Sequence, residues 1–190
     1  IGALLAGSYA WQKWVSWQQQ SVVVYHVYKH TAVDVFHGPT ITQISSPALK
    51  AEQLAFACEA HRWHRRARVD TFFHPRQSVK VDAATGQKGY WQLGEIRLLV
   101  LEDAEQLAGR GRFQVDAVVL SQSPRIRLAE VLEHINTSCF IADGSNPPWR
   151  AAAWSEEAKA LGLPFYQTAQ TGAVTLENGI IESWIKTPAE

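Results

Sequence analysis

The feature that most constrains this chain is the alternation of buried-type strands and amphipathic helices through its second half. Ile96 to Leu101 (IRLLVL) and Val115 to Leu120 (VDAVVL) are nearly continuous apolar runs, as strands covered on both faces require. Arg127 to Ile135 has helical spacing of its apolar residues, Ser138 to Ala142 (SCFIA) reads as the next strand, and Pro147 to Leu161 reads as a helix stopped by Gly162. Short strands at Phe165 to Thr168, Ala173 to Leu176 and Ile180 to Ile185 close the chain. Strand–helix–strand order of this kind demands right-handed crossovers and parallel pairing.

The first half reads differently. Ser21 to Tyr28 (SVVVYHVY) and Thr31 to Phe36 (TAVDVF) are β-branched and aromatic-rich, and His37-Gly38-Pro39 turns the chain into Thr40 to Ser45. These segments predict an opening β-meander. Ser45-Ser46-Pro47 stands where a cap is expected, ahead of a helix from Ala48 to about Val69. Beyond it, Gln77 to Asp82 reads as a strand, Ala84 to Gly89 as a turn, and Tyr90 to Leu93 as extended. The whole predicts a mixed α/β (α+β) fold with mixed sheets and flanking helices, in one domain spanning residues 18–190.

Residues 1–17 carry a separate signal. Ile1 to Ala10 is apolar, and Trp11, Trp14 and Trp17 then alternate with Gln and Lys. The apolar run is shorter than the about 20 residues that span a bilayer. Its aromatic-then-polar edge matches either the interfacial end of a membrane helix or an amphipathic helix packed on the domain. The absence of methionine suggests a piece of a longer protein.

Charge excludes attraction by a global field. Eighteen basic residues balance eighteen acidic ones, so nucleic acid or anionic lipid must be attracted by local patches rather than a global field. Cys58 and Cys139 fit no CxxC spacing and read as two buried thiols, with a single disulfide as the alternative.

From Asp116-Ala-Val-Val-Leu-Ser-Gln-Ser-Pro124 onward the order of signals is similar to one family. Phe140-Ile-Ala-Asp-Gly-Ser-Asn146, Leu161-Gly-Leu-Pro-Phe-Tyr-Gln-Thr168 and Thr171-Gly-Ala-Val-Thr175 follow in turn, and Val22 to Ile44 matches the family's opening strands. The chain resembles the C-terminal metallo-β-lactamase-like domain of ComEC-type DNA-uptake channel proteins, in a divergent branch. Residues 47–111 carry no firm part of the likeness. The resemblance implies a metallo-β-lactamase-like fold, natural competence as the process, and single-stranded DNA and the protein's own transmembrane channel domain as partners. It also implies an inner-membrane location with the domain on the periplasmic or outer face.

The chain departs from an active hydrolase of that fold. No His-x-His-x-Asp-His string occurs, and the family's His-His-Gly-Ser position holds Gln122 and Ser123, neither a competent zinc ligand. The expectation is therefore a degenerate site with no catalytic residue, metal or other cofactor, its remnant being Gln122, Ser123, Asp143 and Ser145. A metal-dependent phosphodiesterase using zinc or manganese on unconventional ligands, such as His26, Asp34, His37 and Asp143, is the alternative. A structural module docked on its own membrane helices is a third reading.

The remaining candidate is a basic helix end. Arg62, Arg65, Arg66 and Arg68 surround Trp63, with His61 and His64 nearby, and Arg62, Arg65 and Arg66 fall at helical i, i+3, i+4. Such a group could contact phosphates while Trp63 stacks on a base. It could equally bind a membrane surface or remain a solvated face that suits the helix dipole.

Overall fold

The structure, a computed structural model, describes residues 20–81, 84–108, 111–177 and 180–184. The segment 1–17 lies outside the described residues.

Two sheets form the frame. The first has the strand order β15-β14-β1-β2-β3-β4, and the second β13-β12-β10-β8-β7-β6-β5. The predicted meander is present as β1 (Gln20–Tyr25), β2 (Ala32–His37) and β3 (Thr40–Ser45), paired antiparallel. The closing hairpin, β14 (Ala173–Glu177) and β15 (Ile180–Trp184), returns to this sheet because β14 pairs antiparallel with β1. In the second sheet β8 (Ile96–Leu101), β10 (Ala117–Leu120), β12 (Phe140–Ala142) and β13 (Phe165–Gln167) are parallel. Before them, β5 (Val79–Val81), β6 (Ala84–Gln87) and β7 (Tyr90–Leu93) run antiparallel up to β8.

The sheets pack face to face. Val22, Val24, Val33, Val35 and Ile44 of the first meet Trp91, Leu98, Val100, Val119 and Ile141 of the second. The alternate residues face outward and are also buried. Val23, Tyr25, Phe36 and Ile41 pack on Cys58, Leu54 and Ala57 of helix α1 (Ala51–His64). On the other side Leu99, Leu101, Val118, Leu120 and Phe140 meet Leu128 and Val131 of α2 (Leu128–His134) and Trp154 and Ala158 of α3 (Pro148–Ala160). The result is four layers: helix, sheet, sheet, helices. Cover on both faces is why the central strands read as unbroken apolar runs.

Three expectations are corrected. The first helix ends at His64 rather than near Val69, because Arg66 adopts a left-handed φ of 52°. Val69, Thr71, Phe72 and Phe73 then extend as β4 (Arg68–Phe73), which pairs parallel with β3. The segment expected as a turn from Ala84 is strand β6, and the chain reverses only at Lys88 and Gly89. Gly86 permits this pairing, since a Cβ there would stand 2.5 Å from the Trp91 ring across the ladder. Asp116 interrupts the run at 115–120, taking the Arg97 backbone N–H at 2.6 Å. It leaves β9 (Phe113–Val115) to pair with β11 (Ile135–Thr137) as a separate ribbon.

Strand direction defines two ends. At the upper end lie the C-termini of β8, β10, β12 and β13 together with the β1–β2 loop. At the lower end lie Gln20, the His37–Thr40 turn, and the C-terminus of α1 where it enters β4 beside Thr40. No described helix is long and apolar enough to cross a membrane.

Candidate functional site

The upper end is where an α/β sheet of this kind places ligands, because loops leaving parallel strands converge there. Ser121, Gln122 and Ser123 follow β10, and Asp143 to Asn146 follow β12. Gln122 and Ser123 both take left-handed φ values, 57° and 56°. Each costs a non-glycine residue roughly 1 kcal/mol or more, so something must hold them.

The holder is the neighbouring loop. The Gln122 N–H donates to Ser145 Oγ at 2.6 Å, and the Ser123 N–H donates to Asn146 Oδ1 at 2.9 Å. Asn146 Nδ2 donates to the Leu120 carbonyl at 2.6 Å and to Asp143 Oδ1 at 3.0 Å. Asp143 Oδ1 also accepts the Ser145 N–H at 2.9 Å and the Ser145 hydroxyl. Behind them the buried hydroxyls of Thr31 and Ser121 bond each other, and Ser121 Oγ lies 3.4 Å from Ser145 Oγ. Ser46 stands in the stretch expected to cap a helix. Its hydroxyl instead accepts the Thr31 N–H at 3.0 Å, and α1 begins later, after Lys50.

Three of the four remnant-site residues are joined directly in this clamp, and Ser123 is joined to it through Asn146. Sequence reasoning missed Thr31, Ser46, Ser121 and Asn146. All four are short polar residues at strand ends, and Thr31 has partners 15 and 90 positions away in the chain. Only Asn146 carried a signal, as the last residue of the Asp143-Gly144-Ser145-Asn146 turn.

Asp143 is the electrostatic centre of the clamp. Burial pushes its carboxyl up to about 6, against the pull of the Ser145 hydroxyl and N–H bonds. Its Oδ2 is buried, and the Thr31 and Ser121 hydroxyls beside the carboxyl pull in the same direction as Ser145. The donors here are one carboxylate, four hydroxyls and an amide, and most of their lone pairs are engaged within the clamp. They do not fit a two-metal centre, which needs several imidazoles and carboxylates converging on one point.

Other candidate ligands are scattered. His26 is at the upper end, with Nδ1 3.3 Å from Thr168 Oγ1, whereas His37 ends β2 at the lower end. Asp34 faces α1 and is held there by Arg62. Among the described residues no three His, Cys, Asp or Glu side chains come together as a metal site.

The basic helix end is divided by the structure. Arg62 turns inward and donates twice to Asp34 at 2.7 Å and once to Gln43 at 3.0 Å. Arg65 donates to Ser21 Oγ at 2.7 Å and to Glu177 at 2.9 Å. His61 Nδ1 is 3.0 Å from the Tyr25 hydroxyl, and burial lowers its pKa to about 4. Trp63, His64, Arg66 and Arg68 are left on the surface.

A four-layer α/β sandwich with a hydroxyl-filled end is thus the class of domain that fold and site define. The family model described as the ComEC C-terminal domain matches residues 22–178, so the chain belongs to that family of DNA-uptake proteins. The match includes residues 47–111, which carried no firm resemblance in the sequence. No curated protein and no solved structure matches the chain.

Proposed function

We propose that this domain is a non-catalytic accessory domain of a membrane channel that takes up single-stranded DNA in natural competence. The observation that carries the reading is the clamp at the upper end. Ser145 and Asn146 occupy the backbone donors of Gln122 and Ser123, and Asp143 is tied to the same loop. A hydrolase of a metallo-β-lactamase-like fold would instead present metal ligands there, open to substrate. In this reading the domain sits on the outer face of the inner membrane, beside its own transmembrane channel domain.

The DNA is cargo of the whole protein more than a tightly held ligand of this domain. With Arg62 and Arg65 in ion pairs, at most Arg66 and Arg68 of the helix-end arginines could meet DNA phosphates. Two contacts correspond to a salt slope of about −1.4 on a single strand, a weak site.

The test is metal analysis of the purified chain together with a nuclease assay on single-stranded DNA, with added zinc or manganese. No stoichiometric metal and no cleavage are expected. Two bound ions, lost together with cleavage in Asp143→Ala, would overturn the reading in favour of a metal-dependent phosphodiesterase.

A further inference from the structure

The lower end of the sandwich combines three features. Trp63 is 87% exposed on the last turn of α1, and Phe56 lies two turns back on the same face. Arg66 and Arg68 are exposed just beyond it, while Arg62 and Arg65 are spent on Asp34 and Glu177. Gln20, the first described residue, starts β1 at this same end, where Ser21 receives Arg65. The acidic groups nearby are Glu177, neutralised by Arg65; Asp116, paired with Arg97; the exposed Asp70 and Glu95; and the exposed Glu59, one turn before Trp63 on the same helix.

The sequence ahead of Gln20 bears on what this end could face. Trp11, Lys13, Trp14 and Trp17 are interfacial residue types that follow an apolar run. Only Gln18 and Gln19 stand between Trp17 and Gln20, a reach of at most about 11 Å. If Trp17 lies at a bilayer surface, Arg66 and Arg68 come within reach of anionic headgroups, whose attraction falls off within a Debye length of about 8 Å. The upper-end clamp then lies a strand length away, about 20 Å.

We infer that the lower end is a membrane-docking surface, with Trp63 entering the headgroup region and Arg66 and Arg68 pairing with anionic lipid. This extends the proposed membrane setting and rests on residues 1–17 marking a membrane edge. It does not depend on whether the upper end is catalytic.

The test uses the full chain on vesicles with a polarity-sensitive fluorophore on Trp63→Cys, and in a second variant on Tyr28→Cys, an upper-end residue 70% exposed. Cys58 and Cys139 are buried, so labelling is confined to the new thiol. On vesicles of equal phosphatidylglycerol and phosphatidylcholine the position-63 probe should shift blue, and on phosphatidylcholine alone it should shift much less. The position-28 probe should report water in both. Replacing Arg66 by Asn, which tolerates the left-handed φ, and Arg68 by Gln should lower the docked-to-free ratio about 25-fold.

A chain that does not sediment with vesicles would remove the membrane-edge reading and the docking with it. A chain that sediments while its position-63 probe stays in water would overturn the docking alone. So would a shift of the position-28 probe instead, or protection of position 63 by oligothymidylate but not by vesicles.

Discussion

Arg62 clamps Asp34 through two hydrogen bonds of 2.7 Å, tying the last turn of α1 to the centre of the first sheet. The Asp34 side chain is fully buried, and Gln43 of the adjacent strand accepts a third bond from the same guanidinium. Burial pushes the Asp34 carboxyl up while Arg62 pulls it down, so the carboxylate depends on its partner. Arg62→Ala leaves a buried charge alone and should cost about 3–5 kcal/mol in denaturant unfolding. The double replacement Arg62→Met with Asp34→Leu should cost less than Arg62→Ala, because it removes both charges from the interior.

Asp143 and His61 impose opposite pH dependences. The folded pKa of Asp143, about 6, stands above its unfolded value of about 3.9. Its stabilisation is therefore complete below about pH 4 and is lost as pH rises through 6. His61 is lowered to about 4, so its contribution is present above about 6.5 and is lost as pH falls through 4. Asp143→Asn isolates the first effect. Between pH 4 and 7.5 its stability should gain on the parent chain by roughly 3 kcal/mol, read from unfolding curves at each pH. A difference independent of pH would contradict the burial of an ionisable Asp143.

Gly144 is required by a close approach. A Cβ there would lie 2.3 Å from the Val27 carbonyl oxygen, and backbone cannot rotate aside. The contact joins the site loop to the β1–β2 loop, where the Lys29 N–H donates to the Gly144 carbonyl at 2.8 Å. Gly144→Ala should destabilise by about 2 kcal/mol or more and raise amide exchange at Lys29.

Cys58 and Cys139 are both free and buried, one on the inner face of α1 and the other between the sheets. Burial pushes both thiols up, Cys139 to about 12, so thiolate is scarce at neutral pH. A thiol reagent should find no reactive cysteine in the native chain and two after denaturation, with or without prior reduction. Loss of both equivalents in the denatured chain unless reductant is added would indicate a disulfide.

Much of the frame is legible in residues close together in the chain. Apolar runs such as Leu98–Leu101 and Ala117–Leu120 announce strands covered on both faces, and the Gly38-Pro39 reversal announces the meander. Turn chemistry at Asp143-Gly144-Ser145-Asn146 marks a strand end.

Other properties belong to the tertiary structure. Whether an arginine faces solvent depends on what lies opposite it, and Asp34 and Glu177 reach Arg62 and Arg65 from strands 28 and 112 positions away. The same holds for the upper end, where Thr31 and Ser121 are ordinary hydroxyl residues until the two sheets bring them into contact. Sequence by itself determined the central strands and the crossovers, because these follow from the periodicity of apolar residues. Only the fold decided which polar groups are consumed by one another and which remain for a partner, because that is settled by long-range pairing under the cost of burying an unpaired charge.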